Sequence, residues 1–188
     1  MAQEDKLRWN DKYRNNPIPD TPVPLITEYA SLASGRQALD IACGMGRNSK
    51  YLASVGFEVD AWDISSVAIE TLQHLPHIHP KEVDFDHITF PEERYDLIIC
   101  TFFLKRTLFP QITKALKENG IFLYETFVYH PLNDRAPSKR SYLLEEGELE
   151  AYFSRDYEIL SLKEYWGKDM RGRKNLKAQM VARKKQKG

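Results

Sequence analysis

The sequence predicts an α/β fold, a doubly wound and mostly parallel seven-stranded sheet with an antiparallel strand near its C-terminal end. Three observations lead there. Short apolar runs alternate with helical segments from residue 37 to residue 127, the rhythm of a parallel sheet covered on both faces. The first of these runs leads into a glycine-bearing turn that enters a helix. The last two extended runs have only a glycine-bearing link between them, so they pair antiparallel if they pair directly.

Each element has its own local reason. Gln3 to Arg14 is rich in helix formers, with Leu7, Trp9 and Tyr13 set among charges. Pro17, Pro19, Pro22 and Pro24 then exclude a continuous helix. Leu25, Ile26, Tyr29 and Leu32 recur at helical spacing and stop near Gly35. Ala38 to Ala42 reads as a buried strand, Asn48 to Val55 as a helix stopped by Gly56, and Phe57 to Trp62 as a second strand. Ser65 or Ser66 caps a helix whose inner face is Ala68, Ile69, Leu72 and Leu75. Lys81 to Phe85 is expected as the third strand and Tyr95 to Thr101 as the fourth. Thr107 is expected to cap a helix burying Leu108, Phe109, Ile112 and Leu116, with Pro110 tolerated in its first turn. Ile121 to Phe127 forms the fifth strand, Glu146 to Phe153 a helix, and Tyr157 to Tyr165 and Leu176 to Arg183 the last two strands.

The 188 residues suit a single domain with one solid core. Within it, residues 1–35 read as a helical lid segment, 36–127 as a cofactor-binding core, and 128–188 as an acceptor-side loop, helix and final strand pair. No apolar run approaches the ~20 residues that cross a bilayer, and Met1 to Lys6 is too polar for a signal peptide, so a cytoplasmic protein is expected. Cys43 and Cys100 are the only cysteines. That excludes a disulfide framework or a cysteine-based metal cluster, and apolar surroundings make both buried thiols. The formal net charge of zero hides an asymmetry. Residues 168–188 carry nine Lys/Arg and one acidic residue, read as a solvated last strand and tail, with nucleic-acid contact as the alternative.

The chemistry concentrates in Asp40-Ile-Ala-Cys43-Gly44-Met-Gly46-Arg47-Asn48. Gly44 and Gly46 let the backbone approach a ligand where a Cβ would clash. Asp63 stands nineteen residues beyond Gly44, where doubly wound sheets place the acid that accepts from a ribose. An adenosine-containing cofactor follows. A dinucleotide loop wants a third small residue in G-x-G-x-x-G, but here the register holds only two glycines. Asp40, just before the loop, would repel a pyrophosphate and attract an ammonium. S-adenosylmethionine (SAM) therefore fits better than NAD.

These residues, with Val59-Asp-Ala-Trp-Asp63-Ile-Ser65, resemble class I SAM-dependent methyltransferases of the Rossmann-like methyltransferase fold. More narrowly they are similar to the small bacterial tellurite-resistance type, in which Gly-x-Gly-Arg-Asn is typical. The resemblance implies SAM as cofactor, S-adenosylhomocysteine as product, and methyl transfer to a small-molecule acceptor, anionic or a thiol or chalcogen. It places Asp40, Cys43, Gly44 and Gly46 along the cofactor, Arg47 and Asn48 at the helix start to orient the loop or contact the cofactor carboxylate, and Asp63 on the ribose. Ile64 lies against the adenine, Asp84 (or Asp86) accepts from its amino group, and Phe85 covers the ring. Thr101, with Phe102 and Phe103, stands where methyl group and acceptor meet. Trp9 and Tyr13 form an aromatic lid, or simply dock.

On the acceptor side the candidates are Tyr129, His130 and Arg106, near Tyr124 and Glu125. Lys105, Arg106, Arg135, Lys139 and Arg140 suggest an anionic acceptor, and equally an ordinary charged surface. His74, His77 and His79 read as solvated, so no metal is expected. The absence of Asn/Asp-Pro-Pro-Tyr/Phe after the fourth strand argues against base methylation. Two alternatives stay open: a methyltransferase acting on nucleic acid or protein through the basic tail, and a SAM-binding protein without turnover. Either a monomer or a homodimer is compatible with the sequence.

Overall fold

The structure is a computed structural model that describes residues 2–16, 18–134, 136–137, 139–169 and 172–188. A seven-stranded sheet in the order β3-β2-β1-β4-β5-β7-β6 forms its centre. The strands are β1 (Gln37–Ile41), β2 (Glu58–Asp63), β3 (Ile78–Glu82), β4 (Tyr95–Thr101), β5 (Leu116–Phe127), β6 (Tyr157–Lys168) and β7 (Lys174–Lys184). β1 to β5 pair in parallel, and β7 runs antiparallel between β5 and β6. The helices are α1 (Ala2–Asn15), α2 (Pro24–Tyr29), α3 (Arg47–Ser54), α4 (Ser66–Glu70), α5 (Phe109–Ala115) and α6 (Glu148–Phe153). Among the described residues, no helix is long and apolar enough to cross a membrane.

The apolar runs are continuous because both faces of the sheet are covered. Strand periodicity sends Leu39, Ile41, Ile98, Cys100, Phe122 and Tyr124 to one face, under Phe109, Ile112, Leu149 and Phe153. It sends Ala38, Leu97, Ile99, Ile121 and Leu123 to the other, under Leu25, Ile26, Ala30 and Leu52. Two buried acids, Asp40 and Glu125, continue this second face toward the carboxyl ends of β1 and β5.

Four expectations need correction. The third strand is Ile78–Glu82 rather than Lys81 to Phe85. Pro80 argues against a strand, but β3 is an edge strand, where a missing N–H is tolerated. Val83 to Phe85 is thereby left as a loop toward the site. Thr107 does not cap α5, which starts after a 3₁₀ turn at Arg106–Leu108 with Pro110 in its first turn. Leu116 opens β5 instead of ending that helix, because Asn119 at φ +63° and Gly120 carry the chain through an irregular register before Ile121. The helix expected to run to Leu75 ends at Glu70, so Leu72 and Leu75 lie beyond it. The other elements lie where expected, and Ser65 caps α4 by accepting from the Ala68 N–H at 3.2 Å.

The entry into β1 is fixed by Asp96 on β4. Its carboxylate accepts the Gln37 N–H at 3.0 Å and the Lys117 ammonium at 3.0 Å. A Cβ on Gly35 would lie 2.3 Å from that carboxyl group. Gly35→Ala is therefore expected to cost about 1–3 kcal/mol, read as a lower urea midpoint with an unchanged slope. A wild-type midpoint would contradict this packing.

Candidate active site

The strand order places β1 and β4 side by side, with the chain leaving them toward opposite faces, and a crevice opens at their carboxyl ends. The residues that follow these two strands both take left-handed backbone, Ala42 at φ +55° and Phe102 at φ +57°. Non-glycine residues rarely adopt it, and such outliers cluster where a ligand must be met. Gly44 (φ +56°) and Gly46 (φ +81°) complete the turn into α3. A Cβ on Gly46 would lie 2.4 Å from Leu72, and one on Gly44 would lie 2.9 Å from the Tyr13 hydroxyl.

Asp63 ties the loops after β1 and β2 together. One carboxylate oxygen accepts the Gly44 N–H at 2.8 Å, and the other accepts the Ser65 N–H at 2.8 Å. The Ile64 N–H also acts on this carboxylate, and its four lone-pair directions leave room for a ligand hydroxyl. Beneath the loop, Asp40 is 1% exposed and accepts from the Ser49 hydroxyl at 2.6 Å. Burial pushes its pKa up to about 7, and burial also raises that of Asp63.

Arg47, the first residue of α3, extends over the Phe102 ring with its guanidinium 5.8 Å from the centroid. Its charge is felt by Asp40 on one side and Glu125 on the other. Among the described residues no carboxylate lies within salt-bridge distance of it. Burial lowers its pKa, and these neighbouring acids oppose that shift. Asn48, next along, faces inward. Its Oδ1 accepts the Val23 N–H at 2.9 Å, and its Nδ2 donates to the Thr101 hydroxyl at 3.1 Å. It thus fastens the proline-rich segment to the end of β4.

Helix α1 roofs the crevice. Asn10 is buried and holds the start of α4 by accepting from the Ser65 hydroxyl and donating to Ser66 Oγ at 3.1 Å. This brings Tyr13, also buried, over Gly44, with Trp9 stacked on it at 5.6 Å. Burial raises the Tyr13 pKa, and the nearby Asp63 adds to the shift. Asn10 anchors the helix that carries Trp9 and Tyr13, a contact that the sequence did not reveal.

On the opposite wall, Thr101 on β4 pairs with Glu125 on β5. Glu125 is 2% exposed and receives hydrogen bonds from the Tyr165 hydroxyl and from Gln179 Nε2, the latter at 3.0 Å. Lys177 lies 5.1 Å from the Phe102 ring centre and 5.9 Å from that of Phe127. Tyr165, Gln179 and Lys177 were missed from sequence. A carboxylate inside Phe-Leu-Tyr-Glu-Thr-Phe and an amide inside Ala-Gln-Met-Val-Ala were the available signals. Tyr165 had none.

The remaining candidates are placed as follows. Ile64 is half-buried beside Asp63, and Cys43 is buried with its N–H donating to the Trp62 carbonyl at 2.9 Å. Phe85 is buried and packs on Phe103 at 5.3 Å. Asp84 turns its carboxylate back to the Asp86 N–H at 2.9 Å and to His87, whereas Asp86 pairs with Lys105. Arg106 departs from an acceptor-side role. It chelates Glu148 and donates to the carbonyls of Ser141 at 3.0 Å and Leu143 at 2.9 Å, so its guanidinium ties down residues 141–148. Tyr129 is covered by the Arg140 guanidinium at 3.0 Å, and His130 packs edge-on against Trp166, both out on the rim. Arg140 also pairs with Glu145, and Arg135 lies outside the described residues. His77 and His79 both clasp Glu58. In the basic tail, Lys184 is buried on the Leu116 carbonyl, while Arg183 and Lys187 pair with Glu158 and Glu93.

The model of the family described as tellurite resistance protein TehB matches residues 2–180. A curated protein of Haemophilus influenzae, named "Probable S-adenosyl-L-methionine-dependent methyltransferase TehB", is 32% identical over 177 residues, 85% of this chain and 61% of that protein. The chain thus spans about three fifths of the length of the curated relatives it matches. The crystal structure of TehB from H. influenzae superimposes with a TM-score of 0.75 at 28% identity, covering 94% of this chain and 67% of that one. A SAM-dependent methyltransferase from Methanosarcina mazei has the same fold, with a TM-score of 0.68 at 22% identity over 89% of this chain and 100% of that one.

The clamp made by Asn48 generates a direct expectation. Asn48→Ala leaves the Val23 N–H and the Thr101 hydroxyl without their partner. It is expected to lower stability by about 1–3 kcal/mol, measured by urea unfolding. An unchanged stability would mean that water replaces the amide fully.

Proposed function

The chain belongs to the tellurite resistance protein TehB family, and from that premise we propose that it transfers a methyl group from SAM to a small-molecule acceptor at the carboxyl edge of β1, β2 and β4. One observation carries the reading. Asp63 holds the loops after β1 and β2 at hydrogen-bond distance from one carboxylate, and the first of those loops leads into Arg47, which forms no salt bridge among the described residues.

The groups present fit SAM in chemical kind. Asp63 offers carboxylate lone pairs to the ribose hydroxyls, Asp40 offers a buried carboxylate to the ammonium, and Arg47 offers a guanidinium to the carboxylate of the methionine part. Ile64 and Phe85 supply apolar surface for the adenine, and Tyr13 closes the roof. When bound, SAM supplies a methyl group made electrophilic by a sulfonium. The protein's contribution is alignment and exclusion of water. Asn48 and the left-handed Phe102 fix the end of β4 against β5, and α1 shields the loop from solvent.

Two results are expected in calorimetry. Asp63→Ala abolishes binding of both SAM and S-adenosylhomocysteine in protein that remains folded, and retained affinity would refute the proposed cofactor site. SAM affinity also depends on pH through Asp40. A cation favours the ionised carboxylate, whereas the free protein keeps Asp40 protonated below about pH 7. Affinity is therefore expected to weaken as pH falls below 7, by up to about tenfold per unit for one linked proton. The binding heat should vary with the ionisation enthalpy of the buffer, and Asp40→Asn should remove both effects.

A further inference from the structure

The methyl-transfer reading leaves Glu125 without a task. A buried carboxylate is costly unless it is well partnered, and Glu125 is 2% exposed. Both partners that bond it are neutral, the Tyr165 hydroxyl on one oxygen and the Gln179 amide on the other. Among the described residues no cation forms a salt bridge with it. The group stands where four elements converge. Thr101 of β4 is its strand partner. Arg47 of α3 approaches within electrostatic reach. Gln179 and Lys177 come from β7, while Tyr165 and Lys163 of β6 are the cross-strand partners of Lys177 and Gln179.

The two members of the pair differ in access. Glu125 is hidden, whereas Tyr165 is only half-buried, so Tyr165 is the member of the pair within reach of a bound acceptor. Gln179 fixes one carboxylate oxygen and leaves the other aimed at the Tyr165 hydroxyl. Phe102 and Phe127, with ring centres 5.4 Å apart, give the same wall an apolar surface.

We propose that Tyr165 and Glu125 form a proton relay, and that the acceptor is a small molecule whose nucleophilic oxygen or sulfur carries a proton, an alcohol, phenol or thiol. This rests on the methyl-transfer reading. The nucleophile's lone pair forms the new bond to carbon as the carbon–sulfur bond of the sulfonium donor breaks and sulfur keeps that pair. The nucleophile's proton passes to the Tyr165 oxygen while the Tyr165 proton passes to Glu125. Tyr165 is the catalytic residue here, and Glu125 is a positioning residue that acts through it. Burial keeps the Tyr165 hydroxyl protonated at neutral pH, and Glu125 reinforces this. The phenol therefore exchanges one proton for another and does not rest as a phenolate. An acceptor that arrives as an oxyanion needs no such relay.

Two measurements on the full chain test this, using wild type, Glu125→Gln and Tyr165→Phe. In a tyrosinate absorbance titration without SAM, Glu125→Gln is expected to move one of the ten tyrosines to lower pH, and the double variant should lack that shift. In the second, labelled SAM is supplied with phenol and mercaptoethanol as protic probes and with selenite as an oxyanion probe. Each variant is expected to slow transfer to the protic probes about 10²-fold near neutral pH. The deficit should close as pH approaches the probe's own pKa, a trend that a merely structural defect would not produce. An unshifted tyrosine titration overturns the relay. So do variants that match wild type with the protic probes at every pH, or a wild type that binds SAM yet methylates only selenite or nothing. Failure of wild type to bind SAM in calorimetry overturns instead the reading on which the relay rests.

Discussion

The site depends on one hydrogen-bonding arrangement, the carboxylate of Asp63 holding the Gly44 and Ser65 N–H groups at 2.8 Å each. Those amides belong to the loops that leave β1 and β2, so a single side chain sets the spacing of the crevice. Charge-assisted bonds of this kind are stronger than neutral ones. The arrangement works only because Gly44 and Gly46 accept left-handed backbone and sit against Tyr13 and Leu72 where a Cβ would clash. Ser65, one of the two bridged residues, also caps α4 and receives α1 through Asn10. The roof, the cofactor loop and the fourth helix are therefore linked through three residues.

A second constraint is the sheet's division of labour. Face alternation buries both sides of β1, β4 and β5, and the same alternation carries Asp40 and Glu125 onto one face near its carboxyl edge. Neither acid forms a salt bridge within the described residues, and both sit within the electrostatic reach of Arg47. Such acids weaken the fold relative to apolar residues of similar volume, so their presence points to chemistry. The cations that the sequence suggested for an anionic acceptor have a different use. Arg106 and Arg140 pair with Glu148 and Glu145 and hold the segment after β5, while Lys105 pairs with Asp86. Among the described residues, Arg47 and Lys177 are the cations beside the Phe102 ring.

Periodicity made the alternating elements and the antiparallel end legible, because a buried parallel strand needs an unbroken apolar run and a crossover needs a helix. It failed at Pro80, where an edge position removed the usual objection to proline, and at Leu116, where the chain changes from helix to strand without a break in hydrophobicity. The cofactor loop was legible because its glycines and acids lie within a single stretch of chain, with Asp63 at a fixed offset. The acceptor wall was not. Glu125, Tyr165 and Gln179 come from three strands and meet only through the register of β5, β7 and β6, which no local pattern encodes. Asn48 was read from its place in a motif as orienting the loop or contacting the cofactor, and both ends of its amide are engaged by Val23 and Thr101.

A crystal structure of the chain with S-adenosylhomocysteine bound tests the central claim most directly. The expected result places the ribose hydroxyls on Asp63, the amino-acid carboxylate on Arg47 and the thioether sulfur toward Thr101 and Glu125, beneath Tyr13. A ligand bound elsewhere, such as the surface groove between Trp62, Lys81, Pro91 and Tyr95, with Asp63 holding only backbone amides, would contradict it.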